Sequence, residues 1–214
     1  MNQVFLLSPA FCGGRRAALL LSPRSTFDIA ERLKTGSLTL GEAFSFLSGL
    51  YFRGKLAYGE RFGRVGGGGL ATFVITPTQG LRPPSSVVTA DELREFASVD
   101  VDAGDRRYRE PLERDLARLD ERLDPHTRVI LLGSIATPKY VDALLAVVAS
   151  RLHYPPSFIG RGDMSRGGLL LRAARSGVEL DYTLLTAMST RRGPRPPRLE
   201  PLPRPGVAAR ASRS

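Results

Sequence analysis

Apolar residues follow two rhythms along this chain, short unbroken runs and stripes spaced three or four apart, and together these predict strands alternating with helices. Residues 4–7 (Val-Phe-Leu-Leu) and 70–75 (Leu-Ala-Thr-Phe-Val-Ile) read as strands, the second stopped by Thr76-Pro77, where proline has no amide to give the ladder. Residues 128–132 (Arg-Val-Ile-Leu-Leu) follow Pro125 as a continuous apolar run, which fits a strand covered on both faces in a parallel sheet. Phe158 and Ile159 mark a further short strand.

Between these runs the spacing turns helical. Ser25 or Thr26 caps a short helix through Ile29, Ala30 and Leu33 that ends at Gly36. From Leu40, residues Phe44, Leu47, Tyr51 and Leu56 keep helical intervals despite Gly49, Gly54 and Gly59. Thr89 and Glu92 have the spacing of a capping box opening a helix toward Phe96. Tyr108, Leu112, Leu116, Leu119 and Leu123 form the most regular stripe, with Glu110 placed to pair with Arg114. Residues 133–138 (Gly-Ser-Ile-Ala-Thr-Pro) turn the chain into a helix over 139–152, Pro138 suiting its first turn.

The four glycines 66–69 predict a flexible surface turn. After residue 168, segments 169–173 and 178–184 bracket Arg175-Ser176-Gly177. The alternation of Val178, Leu180, Tyr182 and Leu184 suggests a hairpin, with a helix over 169–174 as the alternative. From Thr190 proline and arginine dominate and aromatics vanish, so an extended, disordered tail is expected. The expected architecture is a single α/β domain over residues 1–189, with a mostly parallel sheet of four to five strands flanked by helices, a C-terminal hairpin, and an Arg/Pro-rich tail over 190–214.

Charge refines the picture at one end. Residues 191–214 hold seven Arg against one Glu, +6 of the formal +10, so the remainder is only mildly basic. Lys34, Lys55 and Lys139 are the only lysines. The arginine surplus permits bidentate phosphate recognition, and a GC-rich coding bias accounts for it equally well. Cys12 is the single cysteine, which excludes an intrachain disulfide, and His126 and His153 stand far apart, so no metal and no cofactor are expected. No apolar run reaches the roughly 18 residues of a membrane span. No basic residue precedes the run at 4–7 and Phe11 stands before Cys12, so a cytoplasmic protein without a secretory or lipoprotein signal is expected.

Candidate chemistry lies in the loops that leave the strands. Ligands of open α/β sheets collect beyond the carboxyl ends of the strands, where helix N-termini also point. Four loops qualify: 12–16 with Cys12 and Arg15, 76–82, 133–139 with Ser134 and Lys139, and 161–168 with Arg161, Asp163, Ser165 and Arg166. The last has the densest chemistry. Arg161 and Arg166 would clamp a phosphate or carboxylate, Ser165 would add a hydroxyl, and Asp163 would read a base or act as an acid-base group; the plain alternative makes Asp163 an internal ion-pair partner. Cys12 beside Arg15 and Arg16 would be a nucleophile if its thiol pKa were lowered, although a lone buried thiol is the commoner case.

Residues 49–55 carry the glycine and lysine spacing of a phosphate-binding P-loop, but Leu56 stands where a Ser or Thr would hold magnesium. A helical reading is preferred, with Tyr51, Arg53 and Lys55 available to face the site. Asp100, Asp102 and Asp105 lack calcium-loop spacing.

Three blocks are similar to the peroxide-stress YaaA group and its uncharacterised bacterial relatives: Cys12 with the basic residues after it, Leu50-Tyr51-Phe52-Arg53-Gly54-Lys55, and residues 75–84. The chain departs from that group in carrying Arg15 and Arg16 for a lysine, and Thr76-Pro77-Thr78-Gln79 for Ser-Ala-Lys. The resemblance covers the first half and implies a cytoplasmic α/β protein associated with DNA or nucleobase handling. The expected function is therefore nucleotide or nucleic-acid binding, with a reaction on a nucleobase or nucleotide left open because no complete catalytic motif is present. The alternative is a noncatalytic interaction protein whose basic tail binds nucleic acid or an acidic partner. The expected partner is a nucleotide, a nucleic acid or a small phosphorylated ligand, with no membrane.

Overall fold

In a computed structural model, residues 2–199 are described. The elements run β1 (Gln3–Leu7), α1 (Arg15–Leu20), α2 (Asp28–Lys34), α3 (Leu40–Ser48), α4 (Leu50–Phe62), β2 (Thr72–Ile75), β3 (Leu81–Arg82), α5 (Ala90–Ala97), α6 (Arg106–Arg122), β4 (Arg128–Leu132), α7 (Pro138–Val148), β5 (Leu152–Tyr154), α8 (Asp163–Ser176) and β6 (Thr183–Leu184). One sheet holds all six strands in the order β3-β2-β1-β4-β5-β6. β2, β1, β4 and β5 are parallel, and the two-residue edge strands β3 and β6 run antiparallel. The expected α/β architecture with a mostly parallel sheet is what the chain adopts.

The continuous apolar strands have apolar layers on both sides. Phe5, Leu7, Val74, Ile130 and Leu132 point into one layer with residues from α1 to α5 and α8, while Val4, Leu6, Ile75, Val129 and Leu131 point into the other with α6 and α7. Successive side chains of a strand face opposite ways, so a strand covered twice has no polar phase. Both Thr89/Glu92 and Thr39/Glu42 form complete capping boxes, opening α5 and α3. No helix among the described residues is long and apolar enough to cross a membrane.

Several local expectations are corrected. Residues 169–173 belong to α8, so the C-terminal hairpin does not form; β6 pairs instead with β5, His153 opposite Leu184. The fifth strand is Leu152–Tyr154, and Pro156–Phe158 is a single 3-10 turn, since the proline at its start favours that turn over a ladder. The stripe from Leu40 is two helices broken at Gly49, whose φ of 64° lies in the left-handed region. Glu110 pairs backward with Arg106 at 2.6 Å, and Arg114 takes Asp115.

The glycine-rich stretch 160–168 is mostly the first turns of α8, with Asp163 in the first turn where the helix dipole favours a carboxylate. Residues 190–199, expected to be disordered, carry no helix or strand but lie against α8. The Pro194 carbonyl sits over Gly160, and Arg161 Nη1 donates to Pro197 O at 3.3 Å. The rest of the expected tail, 200–214, falls outside the described residues.

Candidate functional site

The chain leaves β1 toward β2 on one side and leaves β4 toward β5 on the other, so strand order reverses between β1 and β4. At such a reversal the loops beyond the carboxyl ends part and leave a crevice. Here the crevice is a cleft of about 1010 Å³ lined from the loops after β1, β2, β4 and β5 and from α4.

Of the residues singled out by sequence, Cys12, Arg15, Tyr51, Ser134, Lys139, Asp163 and Arg166 all line this cleft. Arg53 does not; it lies on the exposed side of α4. Arg161 and Ser165 line a second, smaller hollow of about 370 Å³ together with Arg172, Arg195 and Arg198. There Arg161 Nη1 donates to Ser165 Oγ at 3.1 Å and Nε to Ser157 O at 3.0 Å. The expected Arg161/Arg166 clamp therefore does not form: Arg161, before the start of α8, and Arg166, in its first turns, send their guanidinium groups to different hollows.

Arg166 is nearly buried, its Nε donating to Phe158 O at 3.2 Å and its Nη1 to Asp163 Oδ1 at 3.4 Å. Asp163 is thus an ion-pair partner of Arg166, and its side chain is 69% exposed at the cleft wall. Cys12 is buried with Sγ 3.6 Å from Ala10 O, and burial pushes its thiol up to about 12. That is opposite to the lowered value a nucleophilic thiol needs at neutral pH. The neighbouring Arg15 and Arg16 do not offset the burial; Arg16 instead donates to Phe46 O at 3.1 Å.

Beneath the cleft lies Lys55, which the sequence offered as available to face the site, against Ser8, which it did not single out. Lys55 is 1% exposed, and its ammonium donates to Ser8 O at 2.5 Å and Ser8 Oγ at 2.9 Å. The Tyr51 and Phe52 rings flank it at 4.4 and 4.8 Å from Nζ to centroid. Burial, reinforced by Arg166 and opposed by Asp163, brings the Lys55 amine down to about 7. Ser8 is buried, donates to Leu132 O at 3.3 Å, and faces the Tyr140 hydroxyl.

Among the described residues Thr137 Oγ1 is buried without a hydrogen-bond partner, and the buried Tyr51 hydroxyl makes no well-formed hydrogen bond but has the Arg166 guanidinium beside it. Thr137 is the N-cap of α7 yet makes no capping bond, so no side chain caps the amides that follow Pro138 in that first turn, whose residues Lys139 and Tyr140 line the cleft. At the mouth, Phe11 is 74% exposed, its ring lying across Gly13, where an added Cβ would come within 2.9 Å of Cζ. An exposed ring of this size is a signal in itself, but only the fold shows that it borders a cleft.

Among the described residues no group of three His, Cys, Asp or Glu side chains is arranged to hold a metal ion. The loop at 12–16, Tyr51 near the start of α4, and Pro77 in the turn after β2 all reach this rim. Comparison with protein-family models, curated proteins and solved structures gives no match to the chain.

Proposed function

We propose that the cleft binds a nucleotide or a closely related phosphorylated small molecule. The observation that carries this reading is the meeting, at the sheet's reversal point, of the exposed Phe11 ring with Arg15, Lys139 and the uncapped first turn of α7. A base stacks on an aromatic face, and a phosphate satisfies both cations and unpaired amides. The buried Tyr51 hydroxyl, beside the Arg166 guanidinium, supplies an additional polar contact at depth. The resemblance to the YaaA group, with its implied link to nucleobase handling, points the same way.

Calorimetric titration with a nucleoside, its mono-, di- and triphosphate, and inorganic phosphate tests it. Nucleotides are expected to bind, with Lys139→Ala weakening affinity about tenfold, or about 1.4 kcal/mol, and Phe11→Ala weakening nucleotides more than inorganic phosphate. Equal affinity for all probes in the native chain and both variants overturns the reading.

A second reading has its own observation. Arg161, Arg172, Arg195 and Arg198 line the smaller hollow. That surface, continuous with the basic C-terminal segment, suits the phosphate backbone of a nucleic acid. Binding of a single-stranded oligonucleotide that weakens steeply with salt and is lost in a chain shortened to residues 1–189 would favour it.

A further inference from the structure

A lysine buried beneath a polar cleft normally meets a carboxylate, because an isolated ammonium is costly to desolvate. Lys55 has no ion pair among the described residues and instead holds both oxygens of Ser8. Ser8 stands just past the carboxyl end of β1, the strand at the reversal point, and borders the cleft. The opposite wall keeps close: a Cβ on Gly133 would lie 3.0 Å from Ser8 Cβ. The Tyr140 hydroxyl faces the same serine from α7.

We propose that Ser8 and Lys55 form a nucleophile and general-base pair that transfers an acyl group from an anionic acyl donor bound in the cleft. Only the anionic character of the donor rests on the binding reading above; the pair itself stands on the geometry of β1 and α4.

In the first step the Ser8 hydroxyl turns from Leu132 O toward the neutral Lys55 amine and passes its proton there as Ser8 Oγ bonds to the acyl carbon. The bond from that carbon to the leaving group then breaks, and the leaving group departs with its electron pair and the proton returned by Lys55. Water repeats the sequence on the acyl-serine, giving the carboxylic acid and restoring Ser8. A base must be neutral to accept the proton, and the amine brought down to about 7 is largely neutral at the upper end of the physiological range. The charged groups that bear on it are Asp163 and Arg166, both from α8, which act in opposite senses.

The test is labelling of the full chain by an alkyl fluorophosphonate, read by intact mass and peptide mapping. One adduct per chain on Ser8 is expected, absent from Ser8→Ala. Its rate should rise about tenfold per pH unit up to about 7 and level off above 8, whereas a lysine with an ordinary amine would keep the rate climbing past 9. Lys55→Met should cut the rate at least a hundredfold while circular dichroism stays native; should that variant not fold, the pH profile of the native chain decides. No adduct on Ser8, or a rate indifferent to pH between 6 and 9, overturns the proposal. Nucleotide titration of the same native sample separates the two ideas: binding without labelling sinks the pair alone, and labelling without binding sinks only the nucleotide reading.

Discussion

Gly54 of α4 and Gly167 of α8 meet backbone to backbone. A Cβ added at Gly54 would stand 2.6 Å from Gly167 O, and one added at Gly167 would stand 2.7 Å from Leu50 O and Tyr51 Cα. The two helices touch along their lengths because neither has a side chain at the crossing. Tyr51 and Lys55 ride on one helix, Asp163 and Arg166 on the other, so this crossing sets how the cleft's charged groups face each other. Gly167→Ala is expected to destabilise the chain by about 1–3 kcal/mol in urea unfolding, through overpacking against backbone that cannot yield. Gly162→Ala, where an added Cβ meets nothing within 4 Å, should leave the urea midpoint nearly unchanged.

Lys55 sets a pH dependence of stability with a definite sign. Its amine lies at about 7 in the fold against 10.5 when unconstrained, so between those values the unfolded chain binds the extra proton. Stability therefore rises with pH over that window, by at most about 1.4 kcal/mol per unit, and the cost of the buried charge is fully present below about 7. In urea unfolding, Lys55→Met should compare most favourably with the native chain at pH 6, and the native chain should gain on it steadily toward pH 10. A constant difference across that range would place the amine at its ordinary value.

Cys12 should behave as an inert thiol. With the group pushed up to about 12 by burial, little thiolate exists at pH 8. A thiol reagent such as dithiobis-nitrobenzoate is expected to react slowly with the folded chain and promptly once urea unfolds it. Rapid stoichiometric reaction in the native state would show an exposed, activated cysteine.

Glu42 closes the capping box of α3 and accepts from both terminal nitrogens of Arg32, at 2.6 and 2.7 Å. The Arg32 hydrogen bonds, aided by Thr39, hold its carboxyl at about 2. The folded value lies below the unfolded one, so its contribution is present above about 4.5 and fades as pH falls toward 2. The pair is partly solvated, which limits its worth. Glu42→Gln should cost about 1 kcal/mol at pH 7, mostly through the cap, with a smaller deficit at pH 3.5 in the same urea assay.

The strands in the middle of the sheet were the most legible part of the sequence, because a strand apolar on both faces, such as Arg128–Leu132, has no other stable use. Leu152–Tyr154 escaped notice since three residues carry no period, and of the alternating Val178, Leu180, Tyr182 and Leu184 only the last lies in a strand, paired with His153 of β5 rather than in a hairpin. Glycines 160–168 looked like loop chemistry. Gly167 in fact serves helix contact, a use that only its opposite number on α4 makes visible. Convergence of the loops after β1, β2 and β4 followed from general rules for open sheets and is what the cleft shows. The Ser8–Lys55 contact joins residues separated by 47 positions, and nothing in the local pattern of either marks it.

The run from Pro194 to Leu199 laid across Gly160 and Gly168 changes where a knife can be put to this chain. Ending it at residue 189, where the composition shifts, would strip the covering from the first turns of α8 and expose Gly160 and Arg161 at once. Ending it at 199 keeps that wrapping, with Arg191, Arg192, Arg195 and Arg198 still aboard, and discards three arginines and one glutamate. Any effect of the longer cut thus mixes lost charge with a bared helix start, and the shorter one separates them.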